Sequence, residues 1–261
     1  MRFAGKVAVV TGAGGGLGAA YAAALAREGA FVALVDRVGE RIVAGSDTIQ
    51  AAGGKAVAVA CDLRNAPEVE SMVDAVVATF GRVDILVNNA GGGSSTPGNA
   101  SSIVETTPDA WDAMVGVNLS TGFLTIRAVA PLMKRQRYGR IVNISSRSAR
   151  VADPKLQQSP SYATAKAAVL GLTRFAAREL GPFQITVNCL VPALVLSGPV
   201  LEDYWDRLGE AAREEYLAQV ALKRLPHMDE ITAAVLFLCS DDASYITGVA
   251  LDVNGGSFMP A

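Results

Sequence analysis

A single histidine, His227, stands in a chain of 261 residues. One imidazole cannot build a paired proton relay or a histidine metal cluster, so no metal site is expected. Cysteine is nearly as scarce. Cys61, Cys189 and Cys239 are odd in number and far apart, which fits neither a disulfide framework nor metal-ligand spacing and matches usage in a reducing cytoplasm. No sign of charge dominates, because 23 Lys and Arg oppose 25 Asp and Glu for a formal charge of -2. Nothing therefore marks the chain for nucleic acid or an acidic membrane, and small molecules are the expected partners. Long apolar runs are missing too: Arg27, Glu28 and Asp36 interrupt the Ala-rich region, and no run approaches the ~18 apolar residues of a membrane span. The stretch from Met1 to Lys6 has neither charged leader nor apolar signal core. A soluble cytoplasmic protein is expected.

What is present is hydrophobicity, at 51% of residues, arranged in short runs at 7–10, 31–35, 57–61, 85–87, 141–144, 185–188 and 249–253. Apolar runs without in/out alternation suit strands buried on both faces, and the helix-length intervals between them imply parallel βαβ units. The expected fold is α/β, a Rossmann-type doubly wound sheet of seven mostly parallel strands with helices on both faces, one domain over 1–261. Gly29, Gly81 and Gly181 fall where left-handed helix C-caps belong, and Thr107-Pro108 reads as an N-cap followed by a first-turn proline. Long helices are expected at 107–137 and 161–180, and loops at 91–106 and 147–160.

Thr11-Gly12-Ala13-Gly14-Gly15-Gly16-Leu17-Gly18 follows the first strand and opens a helix. Glycine lets the backbone approach a pyrophosphate, whose charge is favoured at a helix N-terminus. A merely structural glycine turn is the alternative. Asp36 lies eighteen residues beyond Gly18 at the end of the second strand, placed to accept hydrogen bonds from the adenosine ribose and to repel a 2′-phosphate. Arg37 beside it is the residue type a 2′-phosphate would use. The acid predicts NAD over NADP.

Tyr162 and Lys166, four apart in a helical pattern, project from one face. A neighbouring ammonium and a positive nicotinamide would both favour phenolate, which makes the pair an acid/base candidate, though two polar residues on a solvated face would look the same.

These residues resemble the short-chain dehydrogenase/reductase family in order and spacing over essentially the whole chain. Thr11 to Gly18 is similar to the family's TGxxxGxG loop, Asn88-Asn89-Ala90-Gly91 to its NNAG, and Tyr162 to Lys166 to its YxxxK. Asn118 matches its helix asparagine, Gly139 to Ser146 its serine strand, and Val187 to Pro192 the segment before its nicotinamide loop. The resemblance implies Tyr162 as general acid/base, Lys166 as its tuner and a ribose ligand, Ser146 rather than Ser145 on the substrate oxygen, and Asn118 at a proton-relay water. For the cofactor it implies Gly12, Gly15, Gly16, Leu17 and Gly18 at the pyrophosphate, and Asp36 and Arg37 at the ribose. Cys61, Asp62 and Leu63 fall at the adenine, Asn89, Ala90 and Gly91 along the ribose path, and Pro192, Val195 and Ser197 at the nicotinamide. A homotetramer is also implied. The chain departs from the pattern in a longer interval between Ser146 and Tyr162, in Pro192-Ala193 where proline-glycine is usual, and in Ser197 where threonine is usual.

The expected reaction is interconversion of a secondary alcohol, polyol or hydroxy acid with a ketone. The alternatives are an NADPH-dependent 3-oxoacyl-thioester reductase and a catalytically silent dinucleotide-binding protein; Asp36 opposes the first, and Ser146, Tyr162, Lys166 and Asn118 together oppose the second. Residues 198–226, with Tyr204, Trp205, Leu208, Tyr216 and Leu217, read as a substrate-side lid or as packing. Arg147 and Arg150 are either anion ligands or exposed loop residues. Lys134, Arg135, Arg137 and Arg140 read as solvated cations at a helix end, with acyl-carrier docking as the alternative, and His227 as a surface or loop residue.

Overall fold

The computed structural model describes residues 1–92, 96–152 and 159–260. The strands form on the short apolar runs: β1 (Val7–Thr11), β2 (Phe31–Asp36), β3 (Lys55–Ala60), β4 (Ile85–Asn88), β5 (Gly139–Ile144), β6 (Ile185–Pro192) and β7 (Ala250–Val253). They make one seven-stranded sheet in the order β3-β2-β1-β4-β5-β6-β7, every pair parallel. Central β1, β4, β5 and β6 are buried throughout, whereas edge strands β3 and β7 are half-covered, because an edge has a neighbour on one side only.

The helices are α1 (Gly16–Arg27), α2 (Gly39–Ala51), α3 (Ala66–Phe80), α4 (Pro108–Val115), α5 (Thr121–Gln136), α6 (Pro160–Leu180), α7 (Pro199–Arg207), α8 (Gly209–Gln219) and α9 (Met228–Cys239). Alternate residues of β1 feed two cores. Ala8 and Val10 face Tyr21, Leu25, Ile231 and Val235 of α1 and α9, while Val7 and Val9 face Met72, Val76, Val129 and Met133 of α3 and α5. The doubly wound reading of the sequence therefore holds in the structure.

Local punctuation is partly as expected. The Thr107 hydroxyl accepts from Ala110 N at 3.2 Å, ahead of Pro108. Gly29 (φ 95°) and Gly81 (φ 81°) are left-handed, but Gly181 is right-handed, since a 3-10 turn carries the chain on to a left-handed Gln184. The single helix expected over 107–137 contains a π-turn, residues 116–120, between α4 and α5. By length and hydropathy the run Pro108–Gln136 could cross a membrane, which corrects the expectation that no stretch qualifies; in the fold its Ile126, Val129 and Met133 are buried in the second core. Arg140 also departs from the solvated cluster assigned to it: it lies in β5, buried, donating to Asp241 at 2.9 Å and stacked on Tyr138 at 4.5 Å.

Candidate active site

Every candidate site residue follows or ends a strand at the carboxyl edge of the sheet, apart from Asn118 in the π-turn and Tyr162 and Lys166 on α6. In a doubly wound sheet this edge is where helix N-termini converge and ligands bind. After β1 the loop of Gly12 (φ 65°) to Gly18 turns into α1, and a Cβ on Gly18 would stand 2.1 Å from the Gly12 carbonyl oxygen. A Cβ on Gly16 would meet the Ser197 carbonyl oxygen at 2.7 Å, so Ser197 and the glycine turn share one space. Gly15 faces open space beside Leu17. The cradle has backbone amides at a helix start and no side chain in the way, which fits a pyrophosphate.

Asn89, just after β4, braces this cradle, its side-chain amide donating to the Thr11 and Gly12 carbonyls at 3.1 and 3.2 Å. The Thr11 hydroxyl in return accepts from the amides of Asn89 and Ala90 at 3.0 and 3.1 Å. Asp36 closes the far end, one carboxylate oxygen taking Gly14 N and the other Val38 N, both at 3.1 Å. Each oxygen keeps a lone pair for a ribose hydroxyl. Arg37 is exposed beside it. Sequence reasoning missed Arg41, whose Cβ would lie 3.4 Å from a Cβ on Gly14; its spacing of four from Arg37 was the available signal. Cys61 and Leu63 are buried at the end of β3, and burial pushes the Cys61 thiol up to about 11. Between them, Asp62 is held by Arg64 at 3.0 and 2.6 Å, and those hydrogen bonds lower its carboxyl to about 2.

On the other side of the sheet's centre, Ser146, Tyr162 and Lys166 meet. The Ser159 hydroxyl caps α6 by accepting from Tyr162 N at 3.3 Å, placing Tyr162 in the first turn. Tyr162 and Ser146 share a side-chain hydrogen bond. Lys166 lies one turn on, its Nζ 5.7 Å from the centre of the Tyr162 ring and donating to the Ile144 carbonyl at 3.0 Å. Burial lowers the Lys166 ammonium to about 8. Burial also raises the Tyr162 phenol, opposed by the Ser146 hydrogen bond. With no nicotinamide bound, loss of water around the phenol outweighs the Ser146 hydrogen bond, so the sequence argument about a neighbouring ammonium and a positive nicotinamide concerns the loaded site.

The two adjacent serines separate cleanly. Ser145 is buried and donates to the Lys166 carbonyl at 2.7 Å, anchoring α6, while Ser146 is the one beside Tyr162. The Asn118 amide donates to Gly92 O at 2.8 Å and Met114 O at 3.0 Å, and its Oδ1 accepts from Gly92 N at 2.9 Å. A Cβ on Gly91 would fall 2.9 Å from Lys166 Nζ and 2.7 Å from Asn118 Oδ1, so only glycine fits where these residues converge. Beneath the site runs a buried polar chain that sequence reasoning also missed: Thr125 donates to Asn88, Asn88 to Asn143 and Asn143 to Thr173, at 2.6, 2.9 and 2.9 Å.

The family description "Enoyl-(Acyl carrier protein) reductase" matches residues 12–257. The chain belongs to the short-chain dehydrogenase/reductase family. It is 39% identical over 256 residues to a 3-oxoacyl-[acyl-carrier-protein] reductase FabG of Staphylococcus aureus, covering 97% of this chain and 98% of that one. It is also 39% identical over 255 residues to the short-chain reductase protein NovJ of Streptomyces niveus, covering 96% and 93%. The crystal structure of levodione reductase superposes with a TM-score of 0.89 at 33% identity, covering 98% of each chain. The protein is thus a short-chain oxidoreductase of a family that binds nicotinamide dinucleotides and acts on small molecules.

The other walls of the site differ from expectation. Pro192 ends β6, Val195 is buried in the first core, and Ala193 N is held by Val253 O at 3.2 Å. In the expected lid, α7 buries no residue, whereas Tyr216 of α8 is buried, packs edge-on to Trp205 at 5.7 Å and accepts from Leu194 N at 3.2 Å. Arg150 is ion-paired with Asp252 at 3.1 Å. Arg147 is buried. His227 caps α9, its own amide donating to Glu230 at 2.8 Å. Residues 153–158 of the expected loop 147–160, and 93–95 of the loop 91–106, lie outside the described residues.

Proposed function

We propose that this enzyme is an NAD-dependent dehydrogenase that interconverts a secondary alcohol and a ketone, with residues 1–261 acting as one catalytic domain. The observation that carries this reading is the meeting of Ser146, Tyr162 and Lys166 beside a glycine cradle ended by a carboxylate. The nicotinamide, when bound, supplies or accepts the hydride. The Ser146 hydroxyl holds the substrate oxygen. Tyr162, whose raised phenol is protonated at neutral pH, donates its proton to that oxygen during reduction and takes it back during oxidation. Lys166 orients the ribose and restrains Tyr162. Asn118 acts as a positioning residue: its amide donors are spent on Gly92 and Met114, which leaves one Oδ1 lone pair for a relay water. Gly12, Gly15, Gly16, Leu17 and Gly18 take the pyrophosphate, Asp62 and Leu63 border the adenine, and Asn89 to Gly91, Pro192, Val195 and Ser197 border the ribose and nicotinamide.

NAD is preferred in this reading because the Asp36 carboxylate occupies the place of a 2′-phosphate. The second reading, a 3-oxoacyl-thioester reductase using NADPH, is favoured by the similarity to the 3-oxoacyl-[acyl-carrier-protein] reductase of Staphylococcus aureus and by Arg37 and Arg41 beside Asp36. We also propose a cytoplasmic homotetramer, on the strength of Phe123 (50% exposed) and Phe175 (73% exposed) on α5 and α6. Nicotinamide absorbance over a panel of secondary alcohols, ketones and 3-oxoacyl thioesters, with both cofactors, tests the assignment. NADP(H) preference with thioesters alone turned over would transfer it to the second reading, and no turnover of any pair would refute both.

A further inference from the structure

Arg147 directly follows Ser146 and is 4% exposed. Burying a guanidinium without a counter-charge is strongly unfavourable. One acceptor is present: Nη2 donates to the Gln219 side-chain oxygen at 2.7 Å. The plane stacks over Tyr216 at 5.7 Å. Nε and Nη1 have no hydrogen-bond partner, which leaves three N–H donors buried and unmet. Arg147 forms no ion pair among the described residues, although neighbouring Arg150 has Asp252. The position is closed by the end of β5, by α8 and, through the bond from Leu194 N to the Tyr216 hydroxyl, by the segment that follows β6. The glycine cradle, which is where a cofactor pyrophosphate fits, lies after β1 on the far side of Ser146 in the sheet order, so the missing anion is not the pyrophosphate.

We infer that Arg147 is the receptor for an anionic group, a carboxylate or phosphate, carried by the substrate. This rests on the dehydrogenase reading and narrows it from any secondary alcohol to an oxo acid, hydroxy acid or phosphorylated equivalent, whose charge satisfies the guanidinium next to the serine that holds the reacting oxygen. Arginine suits this task because its planar donors match carboxylate and phosphate oxygens, which lysine cannot reproduce.

The test uses the full chain as wild type, Arg147→Met and Arg147→Lys. Thermal unfolding is followed with sodium malonate against sodium chloride at equal ionic strength. The expected result is a malonate-specific rise in the wild-type midpoint, a weaker rise in the lysine variant and none in the methionine variant, whose midpoint without malonate is no lower than wild type. Acetoacetate and its methyl ester are then compared as substrates: the acid-to-ester ratio of kcat/KM should fall by about 30-fold or more in Arg147→Met, through KM of the acid. Equal response of wild type and Arg147→Met to malonate overturns the inference. So does an unchanged acid-to-ester ratio. A methionine variant that unfolds earlier and has a smaller assembly mass also overturns it, because the counter-charge is then a neighbouring subunit's carboxylate. If no version turns over either compound or any member of the wider panel of secondary alcohols and ketones while the malonate effect persists, the dehydrogenase reading fails and the anion site stands.

Discussion

Removing the positive charge of Lys166 should stabilise the cofactor-free protein while inactivating it. Burial lowers this ammonium from its ordinary 10.5 to about 8. The folded state therefore binds the Lys166 proton less tightly than the unfolded chain, so the stability this group contributes is complete above pH 10.5 and is lost as pH falls to about 8. A displacement of that size corresponds to about 3 kcal/mol at neutral pH. Lys166→Met keeps an unbranched apolar stem in the same space and removes the penalty. It also loses the hydrogen bond to the Ile144 carbonyl, worth about 1 kcal/mol. A net gain of about 2 kcal/mol remains, which for a chain of this length is roughly a 4–8 °C rise in Tm. Thermal unfolding of both proteins without cofactor checks this at pH 7 and pH 10. The variant should lead at pH 7 and the gap should shrink at pH 10, where wild-type Lys166 is neutral. Tyr162 does not disturb the comparison, because its raised phenol stays protonated across that window. A variant less stable at pH 7, or a gap independent of pH, would refute the reasoning.

Tyr162→Phe removes only the hydroxyl that meets Ser146 and should cut turnover by about a hundredfold or more while the cofactor still binds, as read by steady-state kinetics and nucleotide fluorescence. Asp36→Ala should lower the ratio of kcat/KM for NAD to that for NADP by at least ~10-fold, since one repulsive carboxylate beside Arg37 and Arg41 is lost. Light scattering should give four times the chain mass for wild type and a smaller species for Phe175→Glu, because an ion placed in an apolar contact is costly to bury; a wild-type monomer would contradict the assembly.

The sheet was legible because its strands are continuous apolar runs, and all seven appear within a few residues of where the runs lie. The cradle was legible for a related reason: Gly12, Gly16 and Gly18 are local necessities, imposed by positive φ or by a Cβ that would strike the Gly12 carbonyl. Features made by residues distant in sequence were not. Arg140 looked like a solvated cation until β5 carried it to Asp241, 101 residues on. Arg150 and Asp252 are separated by 102 residues, so neither hints at the other. The buried chain through Asn88, Thr125, Asn143 and Thr173 draws on four elements and leaves no periodic trace. The direction of the Tyr162 shift in the ligand-free site was hidden for another reason: spacing reports that two groups are close, whereas burial, which sets the sign here, depends on everything packed around them.

Burial of charge also links the two halves of the site. The chain as a whole is slightly acidic at -2, yet both cations nearest Ser146 and Tyr162, Lys166 and Arg147, are buried, and among the described residues neither meets a carboxylate. A core selected for stability alone would not keep two such groups, since each raises the energy of the ligand-free fold. Their retention makes sense if the relevant folded state is the loaded one, in which negative charge arrives with the ligands. The site is then preorganised for anions and oxyanion character before they bind, and the ligand-free protein carries the desolvation cost in advance. On this argument malonate protection at Arg147 and the pH-dependent gain in Lys166→Met share one cause, and the two effects should add in the double variant Arg147→Met, Lys166→Met unless the cations interact. Additivity in unfolding free energy would mark two independent receptors on one edge of the sheet. A double-variant gain well below the sum would mean that the two cations destabilise each other through one shared field.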